Sequence, residues 1–166
     1  MASLAIIPAR GGSKRIPRKN IRPFCGKPIL LYSVEAALES DIFDEVMVST
    51  DDTEIAELAE QAGASVPFLR SAAASGDYAS TDAVIAEVLN CYAANGRHFD
   101  RFACIYPTAP FLTAAKLVEA MKLLDAHESV MPVVAYSYPP QRSVVIQDGL
   151  LVRRFPEYLT ARSQDL

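Results

Sequence analysis

Leu4-Ala5-Ile6-Ile7-Pro8-Ala9-Arg10-Gly11-Gly12-Ser13-Lys14 is the stretch on which the reading of the whole chain turns. Its first half is a strand-length apolar run without polar alternation, the pattern of a strand buried on both faces of a parallel sheet. Its second half becomes abruptly basic and glycine-rich. Paired glycines let a backbone turn sharply and bring N–H groups close to an anion, so a strand feeding such a loop is a candidate phosphate cradle. Two better-known phosphate motifs are missing. There is no GxGxxG, and Gly11-Gly12 lacks the GxxxxGK[ST] spacing, which disfavours a Rossmann dinucleotide site and a P-loop NTPase.

The charge distribution singles out the same loop. The net charge of the 166-residue chain is −4. Residues 1–34 carry seven bases and no acid, and six of the sixteen bases fall between Arg10 and Arg22. The remainder is strongly acidic. An acidic protein that gathers its cations in one segment has a use for a local positive field. Nucleic acid is disfavoured as the target, because the rest of the chain would repel it and the basic run lacks interleaved aromatics until Phe24. At 51% hydrophobic and 22% charged, the chain is expected to form one globular core rather than remain disordered. No apolar run approaches the ~18 residues of a membrane span, and Arg10 interrupts the N-terminal run too early for a signal peptide. Three scattered cysteines (Cys25, Cys91, Cys104) fit a reducing cytoplasm better than a disulfide or zinc framework.

Working outward, strand and helix signals alternate. Pro28 suits the first turn of a helix running to about Ser40. Asp44–Thr50 reads as a strand. Asp51-Asp52-Thr53 offers caps for a helix whose Ile55, Leu58, Ala59 and Ala62 share a face, with Gly63 at its end. Ser65 to Leu69 suits a short strand, and 70–79 a loop. Thr81-Asp82 opens a helix bearing Val84, Ile85, Val88, Leu89 and Tyr92, stopped by Asn95-Gly96. Phe102–Tyr106 is a buried strand ended by Pro107-Thr108-Ala109-Pro110. Thr113 caps a helix with Leu117, Val118, Met121 and Leu124, and Val130–Ala135 reads as a further strand. Five β-then-α units predict an α/β fold, a mostly parallel sheet with helices on both faces, in three layers. Ligands bind such sheets beyond the carboxyl ends of the strands. That nominates the 10–20 loop, Ser49–Asp52, Arg70–Thr81 and Tyr106–Pro110. The chain divides into a core over 1–135 and an extension over 136–166. In the extension, Asp148-Gly149 between two apolar runs predicts a type I′ hairpin, either an arm to a second subunit or a local flap. Asp51 and Asp52 suit a metal or a helix cap. His98 and His127 show no ligand-like pairing.

These motifs together resemble the acylneuraminate cytidylyltransferase family. Ile7-Pro8-Ala9-Arg10-Gly11-Gly12-Ser13-Lys14, with Pro17, Lys19 and Asn20, is similar to its N-terminal signature. Val48-Ser49-Thr50-Asp51, Tyr106-Pro107-Thr108-Ala109-Pro110-Phe111 and Arg162-Ser163-Gln164-Asp165-Leu166 resemble later segments, so the likeness runs along the whole chain. Within the family the wording at 105–111, Pro140-Gln141-Arg142 and the C-terminal five residues are closest to the branch acting on pseudaminic acid. Tyr106 stands where sialic acid enzymes have Gln, and Phe111-Leu112 where they have Leu-Arg. Both changes remove polar groups from the sugar side, which suits a deoxy nonulosonic acid over N-acetylneuraminate.

The resemblance implies a Rossmann-like nucleotidyltransferase fold of the nucleotide-diphospho-sugar transferase type. It implies transfer of CMP from CTP to the anomeric hydroxyl of the sugar, with release of pyrophosphate. Arg10 and Lys19 are the implied catalytic cations. Ala9, Arg10, Gly11, Gly12, Ser13, Lys14, Lys19, Asn20, Arg70, Ala79 and Thr81 are the implied nucleotide contacts. Tyr106, Arg142, Arg162 and Gln164 are implied on the sugar side. A cytoplasmic homodimer built through the hairpin is implied, with no membrane or nucleic-acid partner. The family also holds Mg2+ on a late pair of aspartates with no counterpart in these 166 residues, so the metal ligands are unassigned, and a CTP-binding core with weak or no transferase activity is expected of this chain. The alternatives are a CMP-KDO or CMP-legionaminate synthetase, or a non-catalytic nucleotide-binding or dimerisation fragment.

Overall fold

The N-terminal apolar run becomes strand β1 (Ser3–Pro8). A small hairpin, β2 (Pro23–Phe24) and β3 (Lys27–Pro28), leads into helix α1 (Ile29–Glu39). Strand β4 (Glu45–Ser49) and helix α2 (Thr53–Gln61) follow. A single turn, α3 (Ala72–Ser75), precedes the longer α4 (Thr81–Ala94). Strand β5 (Arg101–Cys104) and helix α5 (Ala114–Leu124) come next. The antiparallel pair β6 (Val144–Gln147) and β7 (Leu150–Arg153) lies near the C-terminus. These elements come from a computed structural model that describes residues 1–76 and 78–166. The chain divides into two compact units, Met1–Val130 and Met131–Leu166.

In the first unit β1 is the middle strand of a parallel sheet ordered β4-β1-β5. Successive residues of β1 point to opposite faces, and both faces are covered. Ala5 and Ile7 join Leu30, Val34, Val48, Ile55, Ala59 and Leu117 in a core beneath α1, α2 and α5. Leu4 and Ile6 join Met47, Val88 and Tyr92 beneath α4. This explains why the run reads as unbroken apolar sequence: Leu4 to Ile7 are fully buried on both faces. The three-layer α/β architecture agrees with the expectation. So do the Asp52 and Thr113 caps, each with a side-chain oxygen accepting a backbone N–H of the first turn; α4, expected to open at Thr81-Asp82, is capped in the same way by Ser80. Gly63 lies just past α2 at φ 93°, the left-handed conformation that suits glycine there.

Four expectations fail locally. Phe102–Tyr106 is not a buried strand: β5 lies at the edge of the sheet and covers only Arg101–Cys104, with Phe102 and Tyr106 exposed. Val130–Ala135 is not a strand: it lies outside any ladder, and Met131, Val133, Val134 and Tyr136 are exposed. Its β propensity is real, but a strand needs a neighbour to receive its backbone groups, and none among the described residues does so. Ser65–Leu69 supplies only one bridge, Met47 to Ser65. The main sheet therefore has three strands rather than five. Pro28 ends β3 and precedes α1 instead of lying in its first turn. In the second unit Asp148 and Gly149 both take positive φ, as a type I′ turn requires, and β6–β7 pair around them.

One polar cluster ties β4 to α4. Ser65, the Tyr92 hydroxyl and Arg97 all donate to the Glu45 carboxylate. The Arg97 guanidinium lies 5.4 Å from the Tyr92 ring centroid and 5.3 Å from that of Phe99. Burial opposes the charge on Glu45, but these donors outweigh it and hold the carboxyl below its ordinary value of 4.5. A carboxylate so depressed contributes stability above the unfolded value, and that contribution is lost as pH falls through the folded one. Glu45→Gln is therefore expected to cost about 1–2 kcal/mol at pH 7. Its deficit against the parent chain should shrink as pH drops below about 4. Thermal melts at pH 7 and pH 3.5 check this; a gap that stays constant with pH refutes it.

Candidate functional site

The register puts Pro8 beside Ser49 and Ile6 beside Cys104, so the carboxyl ends of all three strands open on one edge of the sheet. The loops after β1, β4 and β5 emerge there. The loop before α4 joins them through the Arg70 amide, which donates to Thr50 O at 2.8 Å. The edge nominated by the strand order is thus where the candidate residues of the first unit gather.

The basic loop is held by bonds that the sequence alone did not announce. Ala9 is fully buried, its amide bonded to Ser49 O, so it supplies shape rather than a free donor. The Gly11 amide donates to Asp51 Oδ1 at 2.8 Å, and the Ser13 amide to Gly11 O at 2.9 Å. Two loop amides are therefore engaged within the chain, and Gly11 acts by conformation. Arg10 Nη1 donates to Gly76 O at 3.2 Å, joining this loop to the one before α4. Lys19, Asn20 and Ile21 form a 3-10 turn. Asn20 is buried; its Nδ2 donates to Arg10 O at 2.9 Å while Oδ1 has no partner. Gly12 and Lys14 lie exposed in the same loop.

Across from it, Arg70 is 7% exposed. Its Nε donates to the Ser49 hydroxyl at 3.0 Å and its Nη2 to Ser49 O. Burial pulls its pKa down, and the nearby Asp51 and Glu87 carboxylates push back. Glu87 also accepts from the Ser71 amide and hydroxyl, fixing the chain that leads into α3. Ala79 closes a turn onto Gly76 O. Within the 70–81 loop expected to read a base, position 77 lies outside the described residues. Thr81, in the first turn of α4, contacts Tyr106 through hydroxyls 3.1 Å apart. The Tyr106 carbonyl accepts from Ser33 of α1 at 2.9 Å. Phe111 is 87% exposed, its ring edge-on to Phe24 at 6.2 Å.

Arg142, Arg162 and Gln164 belong to the second unit. There Arg142 donates to Ala161 O, and Arg162 pairs with Asp165 at 2.7 Å. Gln164 is exposed in a short 3-10 turn. His98 and His127 are exposed. Cys104 is half-buried, and burial, then the Asp82 charge, raises its pKa, so the thiol stays protonated and unreactive.

The magnesium implied by the family pattern finds no ready centre. Among the described residues no three His, Cys, Asp or Glu side chains gather as metal ligands. Asp51 accepts the Gly11 amide; Asp52 caps α2 and pairs with Arg18. These residues do not by themselves fit the ion.

The sequence missed the β2–β3 hairpin, whose Cys25-Gly26 turn takes positive φ at both residues. Glycine at 26 was the available signal, and the flanking prolines masked it. It also missed α3, for which Ser71 ahead of three alanines was a usable cue. Ser33 and Glu87 joined the site only through contacts.

A parallel three-layer sheet with a basic glycine loop at its carboxyl edge is the architecture of α/β nucleotidyltransferases. A family model described as cytidylyltransferase matches residues 4–148, and the chain belongs to that family. It is 44% identical to the pseudaminic acid cytidylyltransferase of Campylobacter jejuni, across all of this chain and 73% of that protein. It is 37% identical to a CMP-N,N'-diacetyllegionaminic acid synthase of Legionella pneumophila, over 91% of this chain and 66% of that one. Among solved structures, the fold is similar to that of a CMP:2-keto-3-deoxy-manno-octonic acid synthetase complexed with CTP. The TM-score is 0.63 at 24% identity, covering 78% of this chain and half of that one.

Proposed function

We propose that this chain transfers CMP from CTP to the anomeric hydroxyl of a nonulosonic acid of the pseudaminic type. The sugar oxygen forms the new bond to the α-phosphorus, the bond from that phosphorus to the bridging oxygen breaks, and pyrophosphate leaves. The reading is carried by the junction of the basic loop with the pre-α4 loop at the sheet's carboxyl edge, in a chain 44% identical to a pseudaminic acid cytidylyltransferase.

In this scheme Arg10, Lys14 and Lys19 neutralise the triphosphate, and Gly12 and Ser13 carry the loop around it. Fixed cations of this kind act by positioning and by stabilising charge that develops at phosphorus. The unpartnered, buried Oδ1 of Asn20 is an acceptor for a ribose hydroxyl. Arg70 donates to the cytosine O2 and N3 acceptors beside Ala79 and Thr81. Tyr106 and exposed Phe111 form a sugar side with few polar groups, suited to a deoxy sugar. The assignment of Arg142, Arg162 and Gln164 to that sugar rests on the family pattern alone.

Work in the cytoplasm is part of the proposal, supported by three free cysteines. So is a homodimer. Val144, Ile146, Leu150 and Leu151 leave the β6–β7 hairpin with an exposed apolar surface, suited to a second copy of the chain and testable by sedimentation. No helix among the described residues is long and apolar enough to cross a membrane.

Calorimetric titration with CTP, UTP, ATP and GTP, with and without magnesium, tests the nucleotide half. CTP is expected to bind at least tenfold tighter than UTP. Pyrophosphate release with pseudaminic, legionaminic and N-acetylneuraminic acids tests the sugar half, with pseudaminic acid the preferred substrate. A folded chain without nucleotide preference would overturn the reading.

A further inference from the structure

The basic loop is held by two adjacent carboxylates just after β4: Asp51 accepts the Gly11 amide and Asp52 pairs with Arg18. Asp52, the residue before α2, makes three unrelated contacts. Its Oδ1 accepts the Ile55 amide at 3.1 Å, capping the helix. Its Oδ2 accepts from Arg18 Nη1 at 2.5 Å, while Arg18 Nη2 donates to Glu54. Its side chain also lies so close to Gly11 that a Cβ there would stand 2.5 Å from Oδ2. Burial opposes the charge on Asp52, but the Ile55 amide and Arg18 more than compensate, so it stays ionised.

Arg18 carries a second sign of restraint. It takes φ 54°, a left-handed conformation that costs a non-glycine residue about 1–2 kcal/mol, and it opens the turn containing Lys19 and buried Asn20. A basic loop of this composition free in solvent would relax from that conformation. Here Arg18 pairs with Asp52, and Gly11, whose amide donates to Asp51, lies against the Asp52 side chain.

We infer that Asp52 is a positioning residue for triphosphate binding, setting the 11–19 loop and its lysines before the nucleotide arrives. The inference rests on the CTP reading above and adds to it a residue that touches no substrate. A cradle ordered in advance spares the nucleotide the cost of ordering it, so the grip shows in affinity.

Asp52→Asn separates this role from plain helix capping, because asparagine caps as well as aspartate and fills the same space against Gly11. Only the charge offered to Arg18 is lost. The expected result is a three- to tenfold weaker CTP dissociation constant by calorimetry, in the range of about 1 kcal/mol for a partly exposed ion pair. The melting temperature should remain within about 2 °C of the parent, as expected when the cap survives. Arg18→Ala should weaken CTP to a similar degree, and the double variant should be no weaker than either single one. The weakening caused by Asp52→Asn should also shrink at high salt.

Three outcomes overturn the inference. One is a CTP affinity of Asp52→Asn at the parent value; another is a tighter one, which would mean that Arg18 grips phosphate better when released. The third is full additivity of the two single substitutions, which would make them independent. Absence of CTP binding by the unaltered chain is a different failure, that of the nucleotide reading itself.

Discussion

Gly11→Ala is expected to weaken CTP binding at least tenfold while Gly12→Ala melts within about 1 °C of the parent chain. The two glycines are adjacent and look equivalent in sequence, but their surroundings differ. A Cβ at position 11 would stand 2.5 Å from Asp52 Oδ2, 2.8 Å from its Cβ and 3.0 Å from its Cγ; at position 12 it would meet nothing within 4 Å. The obstruction at 11 is not the loose end of a long side chain. Asp52 is anchored by its cap bond to Ile55 and its pair with Arg18, and its Cβ belongs to the turn that starts α2. Relief therefore requires the loop to move away from β4, which also stretches the 2.8 Å bond from the Gly11 amide to Asp51. Forced displacement of this kind costs about 1–3 kcal/mol. It also shifts Arg10, the residue that links the two loops. Calorimetry with CTP and thermal melts of both variants check the contrast. Equal behaviour of the two would mean that the close approach at Gly11 has no consequence.

Arg70→Ala carries the other large expected effect, and it falls on stability and selectivity together. The guanidinium is 7% exposed, with two of its nitrogens on Ser49 and the Asp51 and Glu87 carboxylates nearby. Its removal takes the Arg70 donor from the Ser49 hydroxyl in a dry place, leaves the Ser49 carbonyl with the Ala9 amide alone and strips two acids of their cation, an expected cost of about 2–4 kcal/mol. Under the proposed function it also removes the donor that favours the cytosine N3 acceptor over the uracil N3–H. The preference for CTP over UTP should then fall from at least tenfold to about twofold, close to 0.4 kcal/mol. Arg70→Lys keeps the charge without the planar fork, so it should recover part of the stability and little of the selectivity. An Arg70→Ala chain that melts with the parent and still discriminates the two bases would reduce Arg70 to a surface cation.

The site was legible in sequence wherever chemistry and strand order coincide. A basic glycine loop placed directly after an apolar strand could be assigned to the carboxyl edge before any coordinates, because parallel strands bring all their following loops to that edge. The loops that carry Arg10, Asn20, Arg70, Thr81 and Tyr106 were reachable in this way; the choice of those residues within them came from the resemblance to the family. Ambiguity remained where one residue type serves two purposes. Asp51 and Asp52 read as metal ligands or, in preference, as caps. The structure gives Asp52 the cap and an ion pair, and gives Asp51 the Gly11 amide, a use that no local spacing suggests.

By itself the sequence determined the α/β class, the burial of β1 on both faces, the helix caps, the Asp148-Gly149 turn and the edge where the loops converge. All of these follow from patterns within a few residues, where periodicity, capping and turn chemistry act. Only the tertiary structure decided which pairs of those loops touch: Gly11 with Asp52, Arg10 with Gly76, Arg70 with Ser49, Thr81 with Tyr106. It also decided that Val130–Ala135, apolar and β-prone, takes no place in a ladder. Hydrogen bonds and close approaches between residues twenty to seventy positions apart depend on how the sheet brings its loops together, and a strand depends on a partner that local propensity cannot supply.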